Sequence, residues 1–294
     1  MPRVTLYLSS PGRRYFPAQP GTDPQNLKAG FEIGPPHRLP PPASSTSTAS
    51  VPWGGSPFVL TEPNCFPSRS LYPARHRLES LYAELSSLAS TLLALLASSL
   101  GRNPAAFTAI MRNSISTLRL LHYPAPPQAV SSSSSEGGEG EGSAQKQVLS
   151  CTPHTDSGLL TLLHQDATGG LEVRNADGEW IPAPYVPGSM VVNVGDLLAR
   201  MSGGRLVATE HRVRSSGRAR YSVPFFCEPG VDAVIDTAPV TAVDGSVTSR
   251  DKRYEEFVLE KMGTWVEFQD AMEEAEIVSA VSVVSSTGSS VAVY

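Results

Sequence analysis

The sequence predicts a mainly β fold with flanking helices, on three observations. Short apolar runs recur between residues 148 and 230, each bounded by turn-forming residues. The chain carries 24 glycines and 26 prolines among 294 residues, about one residue in six, against roughly one in eight in ordinary chains. Helical periodicity is confined to stretches before residue 116 and after residue 249. Evenly spaced short strands with this punctuation indicate a sandwich or barrel.

Taken in order, residues 1–73 read as irregular, because prolines at 35, 36, 40, 41 and 42 and the Ser/Thr run 44–48 do not fit a helix. Pro73 opens the clearest helix. Leu78, Leu81, Tyr82, Leu85, Leu88, Leu92, Leu93, Leu96 and Leu100 recur mostly at steps of three and four. They give one apolar face, read as a buttress for a sheet. Gly101 stands where a C-terminal cap belongs. Asn103 and Pro104 signal a second, shorter helix. The run Leu118 to Tyr123 is short and apolar and is stopped by Pro124, which predicts a strand. Residues 128–147 hold a serine run and an acidic, glycine-rich run, and read as a mobile loop.

The strand-like runs that follow are Leu159–Leu163, Leu171–Arg174, Ser189–Val194, Leu206–Thr209 and Tyr221–Cys227. A last amphipathic helix is expected over 249–275, with Tyr254, Phe257, Val258, Met262, Trp265 and Phe268 on or near one face, followed by a Ser/Val-rich tail. The chain thus divides into a helical and irregular part (1–116), a β core (117–230) and a C-terminal helix and tail (231–294), expected to form one structural domain.

Composition narrows the function. A net charge of −5 argues against nucleic acid as a partner. Cys65, Cys151 and Cys227 lie far apart, which fits a reducing compartment better than a disulfide framework or a zinc knuckle. The first residues lack a secretory pattern, and the charge-free window 85–100 is read as too short and too polar for a membrane span. The expected setting is the cytoplasm, as a monomer.

The chemistry concentrates in His154-Thr155-Asp156 and His211. Residues i and i+2 of a strand share a face, so one imidazole and one carboxylate converge there. A second imidazole from His211 gives two histidines and a carboxylate on one side of a metal, a set that suits non-haem Fe(II) with open positions. Zn²⁺ with a water would accept the same three ligands. Arg220-Tyr221-Ser222 is another i, i+2 pair, presenting a guanidinium fork and a hydroxyl to a carboxylate. Tyr123 could add a phenol to the same ligand. His164 shares strand parity with the metal ligands but is read as structural, as are His122, His76 and His37. Cys151 is read as a small buried residue, and Asn193 and Asp196 as turn formers.

The run His154 to Asp166, the segments Gly169-Gly170-Leu171-Glu172-Val173, Trp180-Ile181-Pro182, Pro187-Gly188 and Val191 to Asp196, then Glu210-His211-Arg212-Val213 and Arg220 to Phe226, occur in the order found in one family. Lys28 to Gly34 and Arg119 to Pro124 also fit. The chain resembles the isopenicillin-N-synthase-like Fe(II)/2-oxoglutarate-dependent dioxygenases. The resemblance implies a double-stranded β-helix, or cupin-like jelly roll. It implies Fe(II) on His154, Asp156 and His211, with the far carboxylate of 2-oxoglutarate on Arg220, Ser222 and Tyr123. It implies no catalytic side chain beyond the metal centre. O₂ is the co-oxidant, ascorbate an auxiliary reductant, and succinate the product from 2-oxoglutarate as a small-molecule substrate is hydroxylated, desaturated or cyclised.

Two departures are expected. The family's upstream strand, helix and Asn-His-Gly-type strand are missing ahead of residue 28, and Leu121 stands where some plant members carry Asn. Two alternatives follow. One is a 2-oxoglutarate-independent oxidase of the isopenicillin N synthase type, with Arg220 and Ser222 on the substrate's own carboxylate. The other is an inactive product of a truncated gene.

Overall fold

The computed structural model describes residues 15–16, 28–36, 64–125, 148–235, 240–241, 247–248 and 252–262. The loop expected at 128–147, the helix beyond residue 262 with Trp265 and Phe268, the tail, His37 and most of the proline-rich stretch lie outside the described residues.

The chain begins with two strands, β1 (Tyr15–Phe16) and β2 (Ala29–Ile33), where the sequence reads as irregular. Helices α1 (Arg75–Ser99) and α2 (Pro104–Ala109) follow. Eight strands then form the core: β3 (Thr117–Tyr123), β4 (Leu149–His154), β5 (Leu160–Gln165), β6 (Leu171–Arg174), β7 (Trp180–Pro182), β8 (Val191–Val194), β9 (His211–Arg214) and β10 (Arg220–Cys227). Helix α3 (Asp196–Met201) interrupts them between β8 and β9. Short pairs β11 (Val234–Ile235) to β14 (Lys252–Arg253) and helix α4 (Tyr254–Met262) close the described chain. No strand forms over 206–209; pairing begins only at His211, opposite β4 and β6.

Two antiparallel sheets result. The larger has the order β1-β2-β3-β10-β5-β8 and the smaller β4-β9-β6-β7. The chain passes back and forth between them, which is the double-stranded β-helix, or jelly roll, that the resemblance implies. Leu121 and Tyr123 of the larger sheet pack with Cys151, Leu171 and Val213 of the smaller, so the sheets meet face to face.

Strand parity decides what each face carries. On β3, Leu118 and Leu120 pack outward in the main core with Tyr82, Leu85 and Leu93 of α1 and with Phe225 of β10. Leu121 and Tyr123, on the opposite parity to Leu118 and Leu120, face the other sheet. Tyr82 stands edge-on to Phe225 at 5.3 Å, and its hydroxyl donates to the Ser116 carbonyl at 2.8 Å. The helix is thus a buttress, yet its buried stripe is narrower than the leucine pattern predicts. Ala89 and Ala97 are buried, whereas Leu88 is 43% and Leu95 62% exposed. Alanines let the backbone approach the sheet, a signal that counting leucines misses. Gly101, at φ 68°, ends the helix in the left-handed cap the sequence predicts. By length and composition α1 could cross a membrane, with an 18-residue window of mean hydropathy 1.4, contrary to the reading that this stretch is too short and too polar.

Asn103 caps α2 by accepting from the Ala105 amide at 3.0 Å. Cutting back a buried α1 leucine separates the two faces of this helix. Leu93→Ala is expected to cost about 2–5 kcal/mol of stability, and Leu95→Ala within about 0.5 kcal/mol, measured by urea unfolding. Equal losses would contradict the packing.

Candidate metal centre

The site starts from register. His154, the last residue of β4, stands directly opposite His211, the first residue of β9. Opposed residues project to the same side, and the two imidazoles lie with ring centroids 4.3 Å apart. Pro153, which donates no ladder hydrogen bond, sits within the register shift between Cys151 and His154. Asp156 is not on the strand, contrary to the expectation of an i, i+2 pair. Strand β4 ends at His154, and the turn 155–159 brings Asp156 round to the histidines. Asp156 Oδ1 lies 3.7 Å from His211 Nε2 and 3.9 Å from His154 Nε2. One atom from each residue falls within 4.8 Å of the others, compatible with ligation of a single ion.

The turn is held from behind. The Asp196 amide donates to the Asp156 carbonyl at 2.8 Å, and Leu197 donates to Ser157 and Gly158. Asp196 opens helix α3, and its amide holds the turn that carries Asp156. Asp156 Oδ2 accepts from Thr161 of β5 at 2.5 Å and from Asn193 of β8 at 2.8 Å, leaving Oδ1 toward the histidines. Asn193 is thus not a turn former. Neither it nor Thr161 was legible as part of the site, because only strand pairing shows that they meet one carboxylate. Each histidine bonds through Nδ1 to the carbonyl two residues before it, Thr152 at 2.8 Å and Thr209 at 3.1 Å. Such bonds fix the tautomer that offers Nε2 to a metal.

Charge is balanced locally. Burial would raise the Asp156 carboxyl, but the His211 charge and the bonds from Thr161 and Asn193 hold it below its ordinary value. Burial lowers His211. Burial would also lower His154, yet hydrogen bonding to Cys151, with the charges of Cys151 and Asp156, pushes it up to about 9. Cys151 is buried, as expected, and also chemically placed. Its thiol lies 3.9 Å from His154 Nδ1 and 3.6 Å from Lys28 Nζ, and the Lys28 charge with His154 outweighs burial to bring it down to about 7.

The second group lies further along the same interior. Arg220 and Ser222 alternate with outward-facing Tyr221 on β10, as the sequence predicts, and Arg220 pairs with Tyr123 across β3. Arg220 is 3% exposed, with its guanidinium carbon 5.0 Å from the Tyr123 ring centroid. Its Nε donates to the Gly169 carbonyl at 3.0 Å and Nη2 to Gln165 at 3.3 Å, while Gln165 is itself braced on Ala183. Nη1 is buried with no hydrogen-bond partner among the described residues. A buried, oriented, unpaired N–H of a cation fits a carboxylate, and two histidines with one carboxylate fit Fe(II). Leu121, opposite Ser222, is part of the apolar lining. His164 is exposed on the outer face of β5 and stands apart from the cluster, and His122 stacks on Tyr221.

One pH prediction follows from His154. A value raised from 6.5 to about 9 means that the metal-free chain is stabilised by its protonated form below pH 6.5, a contribution lost as pH rises through about 9. Metal binding must displace that proton. Co(II) affinity is expected to rise by about tenfold per unit of pH across this window, and Cys151→Ala to raise affinity at neutral pH by releasing the proton's partner. Calorimetric titration at several pH values checks both; a flat profile would contradict the arrangement.

Comparison with known proteins agrees with this geometry. Residues 115–229 match the 2OG-Fe(II) oxygenase superfamily. A 2-oxoglutarate-Fe(II) type oxidoreductase of Emericella nidulans is 36% identical over 160 residues, 54% of this chain and 42% of that protein. A 1-aminocyclopropane-1-carboxylate oxidase of Dictyostelium discoideum is 45% identical over 89 residues, 29% of this chain and 24% of that protein. These two matches span less than half the length of the relatives. Among solved structures, a 2OG-Fe(II) oxygenase family protein from Caulobacter crescentus superposes with a TM-score of 0.62 at 29% identity, covering 85% of this chain and 75% of that one. The family match starts just before β3 and ends just after β10, so it spans the eight core strands and the turn 155–159, and with them His154, Asp156 and His211. Over its eight-stranded core this chain is therefore similar to the 2OG-Fe(II) oxygenase superfamily.

Proposed function

We propose that the chain is an Fe(II)- and 2-oxoglutarate-dependent dioxygenase that oxidises a small molecule. The observation that carries this reading is the unpaired Nη1 of buried Arg220, in the same interior as the His154, Asp156 and His211 cluster. His154, Asp156 and His211 would hold the iron, and Arg220, Ser222 and Tyr123 the far carboxylate of 2-oxoglutarate. Bound together, iron and cosubstrate supply oxidising chemistry from O₂, with 2-oxoglutarate converted to succinate and CO₂.

The chain's own residues order this chemistry. Gly169 and Gln165 fix the fork of Arg220, so the cosubstrate carboxylate is met by a donor already in place. Thr161 and Asn193 hold one oxygen of Asp156 and leave the other for the metal. Leu121, Leu171, Val213 and their neighbours keep water from the space between. The small-molecule substrate follows from the family, and the cytoplasmic setting and monomeric state are carried here as part of the same proposal.

Anaerobic titration with Fe(II) and 2-oxoglutarate tests the reading. A metal-to-ligand charge-transfer band is expected. His211→Ala should abolish it, and Arg220→Ala should raise the 2-oxoglutarate dissociation constant by about 30-fold, the equivalent of ~2 kcal/mol for a buried charge left without its partner. No band in the unaltered protein would overturn the proposal. Oxygen uptake that does not require 2-oxoglutarate would reassign Arg220 and Ser222 to a substrate carboxylate.

A further inference from the structure

Close to the turn that carries Asp156 stands a carboxylate that the chemistry above does not use. Glu228 follows the last residue of β10, and its backbone is pinned. Its amide donates to Ser116 Oγ at 2.9 Å, and its carbonyl accepts from Ser114 Oγ at 2.6 Å. The side chain reaches the turn that carries Asp156. A Cβ added to Gly158 would lie 2.7 Å from the carboxylate carbon and from both its oxygens, so a side chain here would have to displace the carboxylate. The Tyr254 hydroxyl donates to the same carboxylate, at Glu228 Oε2.

Tyr254 is the first residue of α4 and is 0% exposed. Its amide donates to the Ala233 carbonyl at 2.9 Å, and that of Glu255 to Val231 at 3.1 Å, which ties the helix start to the segment after β10. Phe257 and Val258 are buried in the main core. Helix α4 therefore reaches, through one hydrogen-bonded carboxylate, the turn that the α3 amides also hold.

We infer that Glu228 and Tyr254 are a positioning pair, through which helix α4 braces the turn 155–159 and sets the place of Asp156 relative to the two histidines. The pair touches neither ligand atoms nor substrate; it acts through Gly158. Burial pushes the Glu228 carboxyl up to about 7, the Tyr254 hydrogen bond opposing this and the Asp156 charge adding to it, as expected for a group held close to the metal turn. The inference rests on the metal assignment proposed above.

Its test is Fe(II) affinity, measured by anaerobic calorimetry on the full chain, beside the thermal midpoint of the metal-free protein. Tyr254→Phe removes one hydroxyl and keeps the ring. Tyr254→Phe and Glu228→Ala are each expected to weaken Fe(II) binding by about 10-fold or more, the range for lost partners behind a metal ligand. Glu228→Gln, whose amide oxygen accepts the same O–H, should restore affinity to near that of the unaltered chain. Gly158→Ala should weaken binding by displacing the carboxylate, and combining it with Glu228→Ala should add little, because the group that the new methyl displaces is already gone. Affinity within twofold of the unaltered chain in Tyr254→Phe and Glu228→Ala overturns the inference. So does a lower thermal midpoint with Fe(II) affinity unchanged, or a Glu228→Gln protein as weak as Glu228→Ala. Failure of the unaltered chain to bind Fe(II) would instead remove the metal assignment itself.

Discussion

The site depends on a cross-strand pairing: His154 at the end of β4 opposite His211 at the start of β9. Two imidazoles face one another because antiparallel strands must align opposed residues on one side, and the ends of the strands leave room for a third group. Register alone does not supply the carboxylate. The chain has to leave the ladder after His154 and turn back, and a turn by itself is too soft to fix a ligand within tenths of an ångström. The α3 amides, Thr161 and Asn193 provide that fixation with hydrogen bonds from three separate elements. Stabilising a buried carboxylate in this way is what allows an acidic ligand to sit in a mostly apolar barrel.

The interior is otherwise sparing in polar groups. Arg220, Gln165, Ser222 and Tyr123 form one patch at the level of the Arg220–Tyr123 pairing, and Asp156 with its partners forms another near the turn. Leu121, Leu163 and Val191 lie between them. A molecule reaching from one patch to the other would be gripped at both ends and enclosed in the middle, which suits a short dicarboxylate better than a neutral ligand. Cys151 and Lys28 bring a second cation to the side of His154, so the charge environment is set by the start of β2 as well as by the eight-stranded core.

Much of this was legible in the sequence, for physical reasons. Ligand types at fixed spacing and the alternation of Arg220 and Ser222 survive in one dimension, because a strand's parity is local. Three things were not legible. The β2 strand lies in a proline-containing region and is recognisable as a strand only when β3 offers it an edge. Asn193 reads as a turn former by its chemistry and becomes a ligand support only because β8 lies beside β5. The buried stripe of α1 runs through Ala89 and Ala97, whose small side chains give little hydrophobic signal but permit close approach of helix and sheet. In each case the missing information is a long-range pairing.

The alternation along β3 and β10 has a consequence for which changes in chain length the fold can absorb. Leu118 and Leu120 of β3 build the core under α1, and Leu121 and Tyr123 face the barrel interior; Phe225 faces out where Ser222 and Arg220 face in. Deleting one residue within either strand would exchange the two sets beyond the cut, putting a guanidinium against the helix and a phenyl ring in the interior between the sheets. Deleting two would keep each side chain on its own face and shift only its depth. Length variation in such a barrel is therefore confined by parity to the turns, and the turn 166–170 that supplies the Gly169 carbonyl to Arg220 is itself tied to β10 through Asp166 and the Tyr221 amide.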